Sequence, residues 1–296
     1  MDEPLCLLTV HAHPDDESSK GPATVAKYHA EGVRTVLVCA TGGEEGDILN
    51  PAMDRPEVRE RLVQIRREEL AEATRLIGYD EVVMLGYRDS GMPGTPANED
   101  PRSFAQAPLE EAVGRLVAVV RRERPQVMVT YPENQSSYPH PDHLRVHEVS
   151  VGAFEAAGDP DAYPEAGEPW QPLKLYYSIW SRARMVAMHE KFIELGMESP
   201  FGPEWLERPS QDEAITTRID IGPWADVRMD ALLAHRTQVD PNSRRWFGLP
   251  REVARGIHPF EDYTLARDLT GGKGGAGGAE GYEDDLFAGV RDRVAS

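Results

Sequence analysis

Residues 5 to 17 limit this chain more than any other stretch. The apolar run Leu5-Cys6-Leu7-Leu8-Thr9-Val10 has the length and composition of a buried strand, and it stops abruptly in His11-Ala12-His13-Pro14-Asp15-Asp16-Glu17. Two imidazoles and three consecutive carboxylates at the end of an apolar strand are costly to desolvate unless they bind something. Open α/β sheets take their ligands in the crevice outside the carboxyl ends of the strands. Imidazole packed with carboxylate there suits a divalent metal.

Strand-like and helix-like runs alternate after this point. Gly21 to Glu31 predicts a helix with Val25 and Tyr28 inward, and residues 33–40 predict the next strand, which runs into Thr41 to Asp47. A long amphipathic helix is expected from about Pro56 to Leu76, carrying Val58, Leu62, Ile65, Leu70, Ala73 and Leu76, with Gly78 as its stop signal. A short third strand at 81–85 leads into a Gly-, Pro- and Asp-rich loop from Gly86 to Phe104, and loops of that length tend to be functional. A helix at 109–122, a strand at 126–131, a loop at 132–141 and a helix at 143–157 follow. The rhythm predicts an α/β fold with a Rossmann-like, doubly wound, mostly parallel sheet and right-handed crossovers. The second half is less regular, with strands expected at 173–180 and 214–221 and a helix at 225–235. Residues 271–278 read as a flexible glycine linker, followed by a tail at 282–296 that reads as a short docked helix.

Charge and cysteine usage narrow the function. Among 296 residues, 51 are acidic and 32 basic, a formal net charge of −19, which argues against nucleic acid or an anionic membrane as partner. Small-molecule chemistry fits better. Cys6 and Cys39 both sit in apolar runs and read as free buried thiols. Met1-Asp2-Glu3-Pro4 has no basic leader region, and no apolar run reaches membrane-spanning length, so a cytoplasmic protein with no membrane association is expected. The oligomeric state is not encoded in any visible pattern.

A second cluster, Tyr138-Pro139-His140-Pro141-Asp142-His143, also follows a predicted strand and should share the same sheet edge as the first. Three protein ligands with one open position define a catalytic zinc site, and two histidines with one carboxylate are such a set. His13, Asp16 and His143 could supply it. A lone histidine is more often a helix cap or a hydrogen-bonded core residue, but two dense clusters at two strand ends favour a metal. No role is assigned to His11. Asp15 and Asp16 do not suit a glycosidase, because adjacent residues in an extended segment point apart. No G-x-G-x-x-G follows the first strand, which removes a dinucleotide-binding dehydrogenase.

The motif Ala12-His13-Pro14-Asp15-Asp16-Glu17, followed by His140-Pro141-Asp142-His143, resembles the PIG-L/LmbE family of zinc-dependent N-deacetylases and amidases. The resemblance covers most of residues 5 to 270, including Gly43 to Asn50, Arg66 to Leu70 and Arg88 to Met92. It is similar above all to the branch that hydrolyses mycothiol S-conjugates. It implies one Zn2+ per chain on His13, Asp16 and His143, with Fe2+ as an alternative ion, and leaves Asp15 as a general base rather than a ligand. Second in line for Asp15 is support of a metal ligand. Tyr138 is implied as an oxyanion donor, and a protonated His140, held by Asp142, as electrostatic stabiliser and acid toward the departing amine. Glu17 is expected only to cap the following helix.

The same resemblance implies substrate contacts from Asp47, Arg66 and Asp89 to sugar and inositol hydroxyls, and from Lys20 to the acyl side. For Arg66 and Lys20 the competing reading is an ordinary solvated helix charge. The implied substrate is a small pseudo-disaccharide thiol conjugate, cleaved to an N-acetylcysteine S-conjugate and glucosaminyl-inositol in thiol detoxification. The alternative reaction is deacetylation of N-acetylglucosaminyl-inositol or another sugar. A metal- or sugar-binding module without catalysis is the non-enzyme alternative, and the presence of Asp15, Tyr138 and His140 beside the metal set argues against it. The expected division is a Rossmann-like metal-binding catalytic core at 1–170, an elaboration at 171–270 that completes the fold and the acyl pocket, and a linker and tail at 271–296. Trp180, Trp205, Trp224, Trp246 and Phe247 are candidates to line that pocket, though large aromatics are more often core.

Overall fold

The computed structural model describes residues 4–135, 138–271 and 281–294. Seven strands form one sheet: β1 (Cys6–His11), β2 (Arg34–Thr41), β3 (Glu81–Tyr87), β4 (Val127–Thr130), β5 (Lys174–Ile179), β6 (Thr217–Asp220) and β7 (Phe260–Asp268). Their order across the sheet is β3-β2-β1-β4-β5-β7-β6. The first five are parallel to one another, and β7 runs antiparallel between β5 and β6. The fold is α/β with a mostly parallel, doubly wound sheet.

Alternation along the central strands explains the layering. Cys6, Leu8 and Val10 of β1, with Val36, Val38 and Ala40 of β2, face a core shared with α5 (Leu109–Glu123) and α6 (Pro141–Ala156). Leu7, Val127, Val129 and Tyr176 face the other side, against α2 (Pro22–Ala30), α4 (Leu62–Ile77) and α9 (Val227–Ala234). Both faces of β1 are therefore covered, as a near-continuous apolar run requires. Each fully buried Leu or Val contributes about 1.5–3 kcal/mol relative to exposure.

The order reverses direction between β1 and β4, the two strands that carry the histidine clusters. A crevice opens outside the carboxyl ends of strands at such a switch point. The very short α1 (Asp16–Ser19) follows β1 there, and α6 begins just beyond β4.

Several elements differ from the sequence expectation. The helix expected over 56–76 is broken into α3 (Pro56–Arg59) and α4. The break lets Val58 turn inward from α3, while α4 buries Arg66, Glu69, Leu70, Ala73, Thr74 and Ile77 along its own face. Strand β7 and the helix α7 (Arg182–Glu194) have no counterpart in that expectation. The reason for β7 is chemical: Glu261 and Asp262 occupy buried positions, paired with Arg228 and with Ser181 and His258, and so mask the strand pattern. Short helices α8 (Pro203–Leu206), α10 (Arg244–Phe247) and α11 (Arg251–Ala254) surround a small separate core of Phe192, Phe201 and Leu249.

Residues 272–280, most of the expected glycine linker, lie outside the described residues. Beyond them Leu286, Phe287 and Val290 are fully buried against Tyr28 and its neighbours, and α12 (Arg291–Val294) is the single helical turn of the tail. No described helix is long and apolar enough to cross a membrane.

Candidate metal-dependent active site

The turn from β1 into α1 is built around one strained residue. Asp15 has φ 116° and ψ −26°, a conformation that costs a non-glycine residue on the order of 1–3 kcal/mol and persists only where its surroundings enforce it. Three groups do so. Asp15 N–H donates to Glu17 Oε2 at 2.8 Å, and Arg66 donates through Nη2 to Pro14 O at 2.6 Å and to Asp15 Oδ2 at 3.3 Å. Arg66 Nη1 also reaches Gly43 O at 2.6 Å. A side chain at Gly43, where φ is +69°, would collide with that guanidinium, so this Gly-Gly-Glu-Glu-Gly loop owes its first positive-φ glycine to Arg66.

Glu17 is fully buried and does more than face a helix end. Its Oε1 lies 2.6 Å from His235 Nε2 and accepts from Ser18 Oγ at 2.5 Å. Against the pull of burial, the Glu17 carboxylate holds His235 above the usual imidazole range, and His235 holds Glu17 below the usual carboxylate range. Nothing local in the sequence signals this pair, which spans α1 and the end of α9.

His13 is the hub. Its Nδ1 lies 3.4 Å from Asp16 Oδ2, and the same Oδ2 is 3.2 Å from His143 Nε2. Its Nε2 lies 3.1 Å from Asp142 Oδ2 and 3.6 Å from Asp89 Oδ1. Two sets of potential ligands therefore share it: His13, Asp16 and His143, and His13, Asp89, His140 and Asp142, each with donor atoms within 4.8 Å of one another. Burial alone would lower the His13 imidazole, but Asp142, Asp16 and Asp89 outweigh it and hold it well above its ordinary value. Asp16 stays well below the carboxylate range because Lys20 and His143 overcome its burial. Burial pushes His143 down to about 4. Three buried carboxylates around one imidazole are short of positive charge, which is the donor chemistry a divalent cation satisfies.

The first set suits a resident ion better. Asp142 is fully buried and fixed by Ser90, whose N–H donates to its Oδ2 at 3.0 Å and whose Oγ donates to its Oδ1. A carboxylate on the far nitrogen of a ligating histidine is the usual device for fixing that ring. Asp142 does not meet His140 through its carboxylate; its backbone N–H donates to His140 Nδ1 at 3.2 Å, which makes His140 the cap of α6. Since Nδ1 accepts, a neutral His140 carries its proton on Nε2. Burial and the charge on His13 lower the His140 pKa, so its neutral form is the favoured one.

Asp15 retains 31% of its side-chain exposure and is not a member of either ligand set. Burial raises its carboxyl above the usual range, opposed by Arg66. Tyr138 is half exposed, with its ring 5.9 Å from His140 and 5.3 Å from His143. Lys20 Nζ pairs with Asp16 Oδ1 and stands 5.2 Å over the Tyr131 ring. Asp89 is buried beside His13 and accepts from Gly91 N–H at 2.8 Å. Asp47 is exposed on the loop after Gly46. Arg66 is buried, with its hydrogen bonds aimed at the Asp15 turn.

Sequence reasoning overlooked Tyr131, Ser90 and the Glu17–His235 pair. Tyr131 Oη accepts from Ala12 N–H at 3.1 Å and lies 3.1 Å from His11 Nδ1. Burial pushes His11 down to about 4, so this histidine is a neutral support. Tyr131 had one available signal: it is the last residue of the fourth apolar run, at the same sheet edge as His11.

Comparison with known proteins agrees with this geometry. The PIG-L family model, described as GlcNAc-PI de-N-acetylase, matches residues 8–154, which contain both strand-end clusters. A mycothiol S-conjugate amidase of Streptomyces coelicolor is 43% identical, over 99% of this chain and 100% of that protein. A 1D-myo-inositol 2-acetamido-2-deoxy-alpha-D-glucopyranoside deacetylase of Geodermatophilus obscurus is 40% identical, over 96% of this chain and 97% of its own. Among solved structures, an N,N'-diacetylchitobiose deacetylase from Pyrococcus horikoshii shares the fold with a TM-score of 0.61 at 18% identity, covering 88% of this chain and 84% of that one. With relatives this similar along nearly the whole length, and with the His-Pro-Asp-Asp turn and the second histidine cluster facing one another, the chain belongs to the PIG-L/LmbE family of amidases and deacetylases.

Proposed function

We propose that this protein is a zinc-dependent amidase that cleaves mycothiol S-conjugates to an N-acetylcysteine S-conjugate and glucosaminyl-inositol. His13, Asp16 and His143 would hold the metal. A divalent cation in that set supplies Lewis acidity, making water nucleophilic near neutral pH and drawing electron density from the amide carbonyl. Fe2+ could fill the same set of ligands.

The chain's own groups do the rest. Asp15, held in its turn by Glu17 and Arg66, takes the proton of the attacking water at its carboxylate. Its raised pKa brings it toward the range a general base needs. His140 Nε2–H donates to the carbonyl oxygen as negative charge develops there. The proton on Asp15 then passes to the departing nitrogen, because a neutral amine leaves far more easily than an amide anion. Asp142 and Ser90 orient His13, and Tyr138, stacked beside His140, shields that side from water and can add a second donor. Asp47 and Asp89 remain the contacts proposed for sugar and inositol hydroxyls, and Arg66 contributes through the turn it fixes.

One observation carries the choice of amidase. A pocket open to solvent lies beside Lys20, lined by Ser19, Ser178, Ile179, Trp180 and Phe260 among others. An acetyl group needs no such space; an S-substituted acetylcysteinyl group does. The second reading, deacetylation of N-acetylglucosaminyl-inositol, is favoured by the 40% identity to the Geodermatophilus deacetylase. Purified, metal-loaded protein should release glucosaminyl-inositol from an S-conjugate with a higher kcat/KM than from N-acetylglucosaminyl-inositol. Equal or better activity on the acetyl substrate replaces the amidase reading with the deacetylase one.

A further inference from the structure

Beyond Lys20 two solvent-open pockets adjoin and share Trp180, Arg184 and Arg228. Trp180 ties them to the reacting end: its Nε1–H donates to Ser19 O at 3.2 Å, one turn from Asp16. The second pocket is mainly apolar toward Met188, Phe192 and Leu232 and is also lined by Trp246, whose ring meets that of Trp180 edge to face at 5.6 Å.

The charges in this wall are unbalanced. Arg228 is 8% exposed, and its Nη2 donates to Glu261 Oε1 at 2.7 Å, but its Nε and Nη1 are buried with no partner. Arg184 makes no hydrogen bond or ion pair among the described residues; its Nε is buried and its guanidinium lies 5.5 Å from the Trp180 ring. Arg245 reaches the same aromatic group, 5.8 Å from Trp180 and 5.2 Å from Trp246, again with a buried Nε lacking a partner.

The nearby carboxylates are already engaged. Glu261 accepts from Thr24 N–H at 2.8 Å as well as from Arg228. Asp262 accepts from Ser181 Oγ at 2.5 Å, lies 2.7 Å from His258 Nε2 and pairs with Arg218 at 3.2 Å. Burial and the repulsion of Arg228 push even the Arg184 guanidinium down, to about 9. Buried donors and like charges left in this state are costly. An anion between Arg184 and Arg228 would relieve both costs.

We propose that the paired cavities form the subsite for the sulfur substituent of the substrate, and that it selects flat apolar or aryl substituents ending in an anionic group such as a carboxylate. The anion would meet Arg184 and Arg228 while the apolar body lies against Trp180 and Trp246. This deepens, and rests on, the amidase reading.

The test uses two mycothiol conjugates of the same shape, S-(4-carboxybenzyl) and S-(4-carbamoylbenzyl), with metal-loaded protein. Charge-assisted hydrogen bonds from the half-buried Arg184 guanidinium, beside the buried Arg228, predict a kcat/KM preference of about tenfold for the carboxylate. Arg184→Gln should bring the preference close to unity, and Arg184→Lys should restore part of it. Equal turnover of the pair by the unaltered protein, or a preference that survives Arg184→Gln, overturns the subsite. If neither conjugate is cleaved while N-acetylglucosaminyl-inositol is, the amidase reading has failed. Calorimetric binding of the two N-acetylcysteine S-conjugates then decides the subsite alone: tighter binding of the carboxybenzyl form, weakened by Arg184→Gln, supports it, and equal binding overturns it.

Discussion

The parallel and antiparallel sides of the sheet bury charge with opposite signs. Outside β1 and β4, Asp16, Asp89 and Asp142 crowd one imidazole, a centre short of positive charge. Beside β5 and β7, Arg184, Arg228 and Arg245 crowd one indole, a wall short of negative charge. Each imbalance favours a ligand of the complementary sign. The first points to a cation that performs chemistry, the second to an anion that is recognised.

The largest expected effects come from breaking the cation side. Asp16→Ala should abolish stoichiometric divalent metal, measured by elemental analysis, and lower turnover on the order of 10⁴-fold, because nucleophile activation and charge stabilisation are lost together. Asp89→Ala should keep the metal, and the reverse pattern would move the ion to the second ligand set. A smaller effect is expected from Ser90→Ala, which removes one anchor of Asp142. Metal affinity or kcat/KM should fall about 10–100-fold with the fold intact, and an unchanged affinity together with an unchanged kcat/KM would remove Asp142 as the group that orients His13.

The smallest effect belongs to the docked tail, which touches neither charged centre. Arg291, Phe287 N–H and Tyr28 hold Asp285 below the usual carboxylate range against its partial burial. A depressed carboxylate stabilises above its unfolded pKa, and that contribution disappears as pH falls through the folded value. Hydrogen exchange at Leu286 N–H, which donates to Tyr28 Oη at 2.7 Å, should therefore accelerate relative to the β1 amides on acidification below about pH 4. Asp285→Asn should remove most of that acid sensitivity.

The cation side was far more legible than the anion side. Each histidine cluster follows an apolar run in the sequence, so the local pattern alone brings His13, Asp16 and His143 to one sheet edge. The strained Asp15 turn was not visible, because its supports, Glu17 with His235 and Arg66 with Gly43, act across long sequence separations. Strand β7 was hidden by the buried Glu261 and Asp262, whose partners come from α9 and from the segments flanking it. The arginine wall was invisible for the same reason: each arginine sits among ordinary helix charges in sequence, and only packing against Trp180 shows that three of them share too few carboxylates.

The two sides divide the labour of catalysis and recognition, and one experiment tests that division directly. Turnover of an S-conjugate and of N-acetylglucosaminyl-inositol is measured side by side for the unaltered protein, Asp15→Asn and Trp246→Ala, all with metal bound. Asp15→Asn should lower kcat on both substrates by a common factor of about 10²–10⁴, the range for a lost general base. Trp246→Ala should lower the ratio of conjugate to acetyl hydrolysis about tenfold, as expected for an emptied apolar pocket. A common loss on both substrates from Trp246→Ala, or near-normal turnover by metal-loaded Asp15→Asn, would contradict it.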